Sequence, residues 1–271
     1  MKAIRLHTPD GLDGLRLDEI DLPQVGPGEA LLRVHAAAIT RDELDWPVDR
    51  LPAIPSYEVS GVVEAVAADV AEVGEGDAVY ALTPFDRDGA AAEYAVVPAA
   101  LLARKPNTVD HVESAAIPLA ALSAWQGLFD QGGLREGDRV LIHGASGGVG
   151  HFAAQLARWR GAHVIVTADE VGTEPVDLVF DTAGGERLAK SAAVVHTRGR
   201  IVSVAEEQPG VTYFVVEPRR EQLVELTGLV DTGVVRPSID SVFPLAEGRA
   251  AFERSIERGK RGKVVLRIAH D

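Results

Sequence analysis

Over its first hundred residues the chain alternates apolar and polar positions in short runs: Ala3–Leu6, Leu15–Asp18, Ala30–Ala37, Val59–Val66, Asp77–Tyr80 and Glu93–Val97. Gly, Pro and Asp separate them. A period of two bounded by turn residues puts successive side chains on opposite faces of a strand, so this part predicts an antiparallel, barrel-like domain. Beyond Pro106 the period lengthens. A helical stretch, Val112–Asp130, precedes a strand at Asp138–Ile142, a glycine turn, a helix at His151–Arg160 and a strand at His163–Thr167. Strand, helix and strand in that order predict a parallel sheet. Val176–Asp181 and Arg200–Val204 read as further buried strands. After Pro237 a strand, a helix and a strand, Ser238–Phe243, Leu245–Arg258 and Lys263–Ile268, form a tail expected to rejoin the first domain.

The glycine turn carries the first chemistry. Ala145, Ser146, Gly147, Gly148, Val149 and Gly150 follow a strand directly and open an amphipathic helix. That is the setting of a dinucleotide-binding turn: glycines let backbone approach a pyrophosphate and let helix and strand pack closely, while helix N–H groups face the phosphate charge. Ala145 stands where the first glycine of the pattern is commoner.

Length and composition narrow the alternatives. At 271 residues two domains are expected. Carboxylates outnumber Lys and Arg by 41 to 27, and the one basic group, Arg258, Lys260, Arg261 and Lys263, is short, so neither nucleic acid nor a membrane is an expected partner. The first residues lack a basic head and apolar core, so a cytoplasmic protein is expected. Cysteine is absent, which excludes disulfides and thiolate-bound zinc, and the eight histidines show no metal-ligand spacing.

Three segments together, Gly144 to Gly150, Ala116 to Trp125 and Asp181-Thr182-Ala183-Gly184-Gly185, resemble the zinc-independent quinone oxidoreductase branch of the medium-chain dehydrogenase/reductases. The resemblance implies a GroES-like β-barrel catalytic domain, residues 1–110 and 238–271, with a Rossmann-type parallel-sheet dinucleotide-binding domain, residues 111–237, inserted in it. It implies a homodimer joined at an edge strand near Val211–Val216, and NADP, with NAD the less favoured cofactor.

In zinc-dependent members of that superfamily three side chains bind the metal. The matching positions here are Thr40, Tyr57 and Leu119, which cannot complete a zinc site. Hydride transfer without a Lewis acid suits a substrate already polarised by conjugation, a quinone or an α,β-unsaturated carbonyl. A specialised biosynthetic enoyl or carbonyl reductase, or a dinucleotide-binding homologue without catalysis, would share the same sequence features. Reduction also needs a proton. Tyr57 is the first candidate to donate it. Thr40 and Asp42 match ligand and hydroxyl-relay positions and are assigned to orient substrate or connect the acid to solvent. Trp46 is assigned to the substrate-pocket wall, and Ser123 and Thr167 to the cofactor.

Against the family pattern a helix and part of a strand are missing after Thr167, and a shorter piece is missing between Glu207 and Tyr213. Removing a helix from a parallel sheet bares apolar strand surface. The expectation is therefore that loops are absent from the sequence at Thr167–Ala168, Val171–Gly172 and Pro209–Gly210, with broken backbone at each.

Overall fold

The computed structural model describes residues 1–46, 49–166 and 174–269. Strands β1 (Lys2–Leu6), β2 (Leu15–Glu19), β3 (Glu29–Ile39), β4 (Glu58–Val66), β5 (Ala78–Leu82), β6 (Tyr94–Pro98) and β7 (Ala103–Arg104) come first. Helices α1 (His111–Ala115) and α2 (Pro118–Trp125) lead to β8 (Arg139–His143), α3 (Gly150–Trp159), β9 (His163–Ile165), β10 (Val176–Asp181), α4 (Gly185–Ala189), β11 (Val195–Ser203) and β12 (Thr212–Tyr213). The chain closes with α5 (Arg220–Asp231), β13 (Ile239–Pro244), α6 (Gly248–Ile256) and β14 (Lys263–Arg267). These elements gather into two units. Unit 1 is Met1–Leu119, Pro218–Thr232 and Pro237–Asp271; unit 2 is Ala120–Glu217 and Gly233–Arg236.

Unit 1 is built on a seven-stranded sheet in the order β13-β14-β3-β4-β5-β7, with β6 paired to β3, and a separate antiparallel pair, β1-β2. Strand β3 is its backbone, pairing with β4, β6 and β14. Its alanines explain how it is buried on both faces. Ala36 and Ala38 pack under α1 against Val112, Ala115 and Ala116, while Ala37 points into a second core with Val34, Val59 and Val79. The tail does return to this unit, β14 pairing antiparallel with β3.

Unit 2 is a five-stranded, wholly parallel sheet, β12-β11-β10-β8-β9. Leu141, Val179, Ile165 and Val176 form its core on one cluster, and Phe152 and Phe180 are fully buried. The mixed α/β architecture, a GroES-like unit and a Rossmann-type unit, is as the resemblance implies.

The differences have local causes. The single helix expected over Val112–Asp130 is broken: α1 stops at Ala115, α2 starts at Pro118, and a π-helical turn covers Gln126–Gln131. Proline has no N–H to give the preceding turn and disfavours helical backbone in the residue before it, so Pro118 can begin a helix but not continue one. Helix α5, with Leu223, Leu226 and Val230 buried at helical spacing, has no counterpart in the pattern read above. At Pro209–Gly210, one of the three expected junctions, the chain turns with Gly210 at φ 78° and the Val211 N–H donating to Gln208 O at 3.1 Å. The other two expected breaks, and Thr167 itself, lie outside the described residues.

Candidate functional site

In unit 1 the chain brings four polar side chains to one end of three neighbouring strands. Thr40 follows the last residue of β3, Glu58 opens β4 and Lys263 opens β14. The register pairs Ala38 with Glu58 and Ile39 with Val264, so the three positions lie side by side. Glu43 sits in the 3₁₀ turn that follows Thr40. Lys263 Nζ forms a buried ion pair with Glu58 Oε1 and donates to Thr40 Oγ1 at 3.1 Å. Thr40 Oγ1 donates to Glu58 Oε1 at 3.4 Å, and the Leu119 N–H donates to Glu58 Oε2 at 2.9 Å. Glu43 accepts from the N–H groups of Thr40 and Ser56 at 3.1 and 3.2 Å. Glu43, Glu58 and Lys263 are buried, whereas Thr40 keeps part of its surface.

Glu43 is the electrostatic anomaly of this group. Burial raises its carboxyl to about 8, and the Glu58 charge adds to the effect; the Thr40 and Ser56 N–H groups and the Lys263 charge oppose it. Because the folded value lies above the ordinary 4.5, the protonated carboxyl favours the fold. Its contribution is complete below about pH 4.5 and is lost as pH rises through about 8. Urea unfolding should therefore show the unaltered protein losing stability relative to Glu43→Gln over this window, by at most about 1.4 kcal/mol per pH unit. Parallel pH profiles of the two proteins would contradict the assignment.

Tyr57 lies next to this group in sequence but in a different setting. Its ring is fully buried against Trp46 and Phe85, at centroid distances of 5.6 and 5.3 Å, and Arg50 Nη2 donates to its hydroxyl at 2.9 Å. Burial pushes the phenol up to about 12 despite the Arg50 charge. Trp46 is half-buried and also meets Phe85, at 5.0 Å. Asp42 is separate: its side chain is 76% exposed, and its nearest charged partner is Arg41, at 3.9 Å. Of the residues the sequence offered, the structure thus places Tyr57 with Trp46 and places Thr40 in the ionic group. Glu43, Lys263 and Arg50 were not among them. Lys263 carried a sequence signal only as one of four basic residues near the tail, and nothing in the pattern distinguishes Glu43 from a surface carboxylate.

In unit 2 the glycine turn links β8 to α3. Gly144 takes φ 77°, and the Gly147 N–H donates back to Gly144 O at 2.9 Å. A Cβ on Gly150 would lie 2.1 Å from Gly144 O, so this position admits glycine alone without a backbone shift. No side chain caps the N-terminus of α3. Ala145, Ser146, Gly148 and Val149 complete the loop between these fixed points. Asp181, buried at the end of β10, accepts from the N–H groups of Ala183 and Gly184 and from Ser203 Oγ at 2.8 Å, which fixes the neighbouring turn. Ser123 is buried within α2. The tight turn and uncapped helix fit a dinucleotide pyrophosphate. The donor set in unit 1 does not fit zinc: a threonine hydroxyl, an arginine-bound phenol and a leucine occupy the three positions.

The sequence model of a family described as "Alcohol dehydrogenase GroES-like domain" matches residues 26–107, and one described as "Zinc-binding dehydrogenase" matches residues 158–266. A probable zinc-binding oxidoreductase, mitochondrial, from Arthroderma benhamiae is 32% identical, over 91% of this chain and 90% of its own. The chain belongs to the medium-chain dehydrogenase/reductase superfamily. Within it, an NADPH-dependent alkenal/one oxidoreductase, chloroplastic, from Arabidopsis thaliana is 30% identical over 98% of this chain and 79% of its own. The structure of the quinone oxidoreductase from Coxiella burnetii superposes with a TM-score of 0.92 at 28% identity, covering 99% of each chain. This medium-chain chain is thus quinone oxidoreductase-like and an oxidoreductase in general type. Among the described residues no helix is long and apolar enough to cross a membrane.

Proposed function

We propose that this protein reduces a quinone or an α,β-unsaturated carbonyl with a hydride from NADPH, without zinc. The observation that carries the reading is the turn at Gly144–Gly150, whose close approach of Gly150 to Gly144 O leaves the helix end open to a diphosphate. When bound there, the reduced nicotinamide supplies the hydride. Residues Ala145 to Gly150 hold the diphosphate, and Ser123 stands on the same unit for the nicotinamide end. NADP is preferred to NAD in keeping with the alkenal/one relative, which is NADPH-dependent by name.

The zinc-free part rests on what the three matching positions already do. The Tyr57 hydroxyl is held by Arg50, the Thr40 hydroxyl lies between Lys263 and Glu58, and Leu119 contributes only a backbone N–H, to Glu58. A substrate reduced here must carry its own polarisation, as conjugated carbonyls do. Unit 1 supplies the polar groups for the accompanying proton, and the aromatic surface of Trp46 suits a flat substrate.

The test is direct. Purified protein should oxidise NADPH faster than NADH with a panel of benzoquinones, naphthoquinones and short enones, and the rate should survive prolonged dialysis against a zinc chelator. No turnover with any acceptor would favour a dinucleotide-binding homologue without catalysis, and loss of turnover on chelation would restore the metal. We further propose a homodimer through the β12 edge, where Tyr213 and Val215 are 41% and 60% exposed. A monomeric mass in sedimentation equilibrium would reject this.

A further inference from the structure

The ionic group of unit 1 contains more than a zinc-free fold requires. A buried ion pair contributes little net stability compared with apolar side chains of the same volume. Here a lysine only 5% exposed is nevertheless set against a fully buried glutamate, and its ammonium is shared with the hydroxyl of the residue that reaches the surface. We propose that Lys263 replaces the proton that the Thr40 hydroxyl delivers to the reduced substrate, making Lys263 a positioning and proton-supplying residue behind Thr40. This rests on the reductase reading above and names the proton route that reading leaves open.

The geometry separates Thr40 from its competitors. The Tyr57 side chain has no exposed surface and its hydroxyl is engaged by Arg50, while Asp42 is largely exposed, with Arg41 at 3.9 Å. Thr40 Oγ1 accepts from Lys263 Nζ at 3.1 Å and donates to Glu58 Oε1 at 3.4 Å, a long bond from which its O–H can turn towards a substrate oxygen while the ammonium stays in place. An alcohol is too weak an acid to give up a proton unless another replaces it in the same event, and Lys263 is in line to do that. The groups facing Lys263 are Glu58 from β4, Glu43 from the turn after β3, and Lys260 from the loop before β14.

A bound reduced nicotinamide would supply the hydride for the C–H bond at the electrophilic carbon of an enone, which leaves an electron pair on the carbonyl oxygen. The Thr40 O–H bond then breaks as a new O–H bond forms on that oxygen. A Lys263 N–H proton passes to Thr40 Oγ1, leaving a neutral amine beside Glu58. After product leaves, a proton from water returns through the exposed side of Thr40. No further oxidant or reductant is needed.

The experiment uses the full chain, NADPH and a short enone, in H₂O and in D₂O. Lys263→Arg keeps a cation for Glu58 but offers a guanidinium that does not release protons at neutral pH. Its kcat is expected to fall about 100-fold, with KM for NADPH unchanged and thermal unfolding close to the unaltered protein. Thr40→Val should fall similarly, Thr40→Ser should recover most of that loss, and the double variant Thr40→Val/Lys263→Arg should be no slower than either single one. The unaltered protein should turn over more slowly in D₂O than in H₂O, and Lys263→Arg should lose that difference; an equal D₂O effect in both proteins would count against Lys263 as the proton source. Full kcat in Lys263→Arg, or losses that multiply in the double variant, would overturn the proposal while the reductase reading stands. Absence of NADPH oxidation by the unaltered protein with every enone would overturn both.

Discussion

Replacing Gly150 with alanine is expected to weaken NADPH binding by roughly 30-fold or more, equivalent to about 2 kcal/mol, and to lower stability by about 1–3 kcal/mol. The added methyl would lie 2.1 Å from Gly144 O and 2.7 Å from Ala145 Cα. Both are backbone atoms, so no side chain can turn aside. Gly144 is itself fixed at φ 77°, with Thr182 Oγ1 2.4 Å from where a Cβ would stand, so the strand side cannot retreat easily either. The helix must therefore move away from the strand, and its N-terminal N–H groups move with it. Gly147→Ala provides the contrast. Its Cβ would be 3.2 Å from Gly144 O, a contact relieved by a small shift, so it should unfold near the unaltered temperature while still crowding a diphosphate. Titration of nucleotide by fluorescence, alongside thermal unfolding, checks both. Ordinary NADPH affinity in Gly150→Ala would show that this turn does not hold the cofactor.

The second large effect concerns stability. Glu58→Gln removes the partner of Lys263 and leaves an ammonium buried without a counter-charge in contact, a change that costs about 3–5 kcal/mol in comparable sites. Glutamine retains a carbonyl oxygen for the Leu119 N–H, so the loss reports the ion pair more than the hydrogen bond. Adding Lys263→Met should recover most of the stability, because the cost comes from the stranded charge and methionine fills similar volume. Chemical unfolding of the unaltered protein, Glu58→Gln, Lys263→Met and the double variant closes the cycle. A Glu58→Gln protein as stable as the unaltered one would mean that water or Glu43 compensates Lys263.

The fold was legible where local rules and tertiary packing agree. Period-two runs from Ala30 and Val59 became β3 and β4, and Val176–Asp181 became β10 with the same bounds, because each apolar face meets a core. The glycine turn was legible because steric demand at Gly150 is written into a single residue type. The ionic group was not. Lys263 meets Glu58 across 205 positions of sequence, and only the pairing of β14 with β3 and of β3 with β4 brings them together. Glu43 reads as a surface carboxylate until the Ser56 N–H and the burial around it are seen. Likewise the phenol of Tyr57 is legible in the sequence, but the guanidinium of Arg50 and the rings that enclose it come from other turns of the chain.

The aromatic residues give the two units different optical signatures. The chain has three tryptophans. Trp46 belongs to unit 1, beside Tyr57 and Phe85, whereas Trp125 and Trp159 both belong to unit 2, with ring centroids 6.0 Å apart and Phe129 5.1 Å from Trp125. Two indoles held so closely at a fixed tilt couple electronically, and the resulting circular-dichroism couplet has its origin in unit 2. Melting of the parallel sheet can therefore be followed by loss of that couplet, and in a Trp125→Phe/Trp159→Phe protein the fluorescence that remains comes from Trp46 and follows unit 1, so the order in which the halves come apart becomes visible without any attached dye.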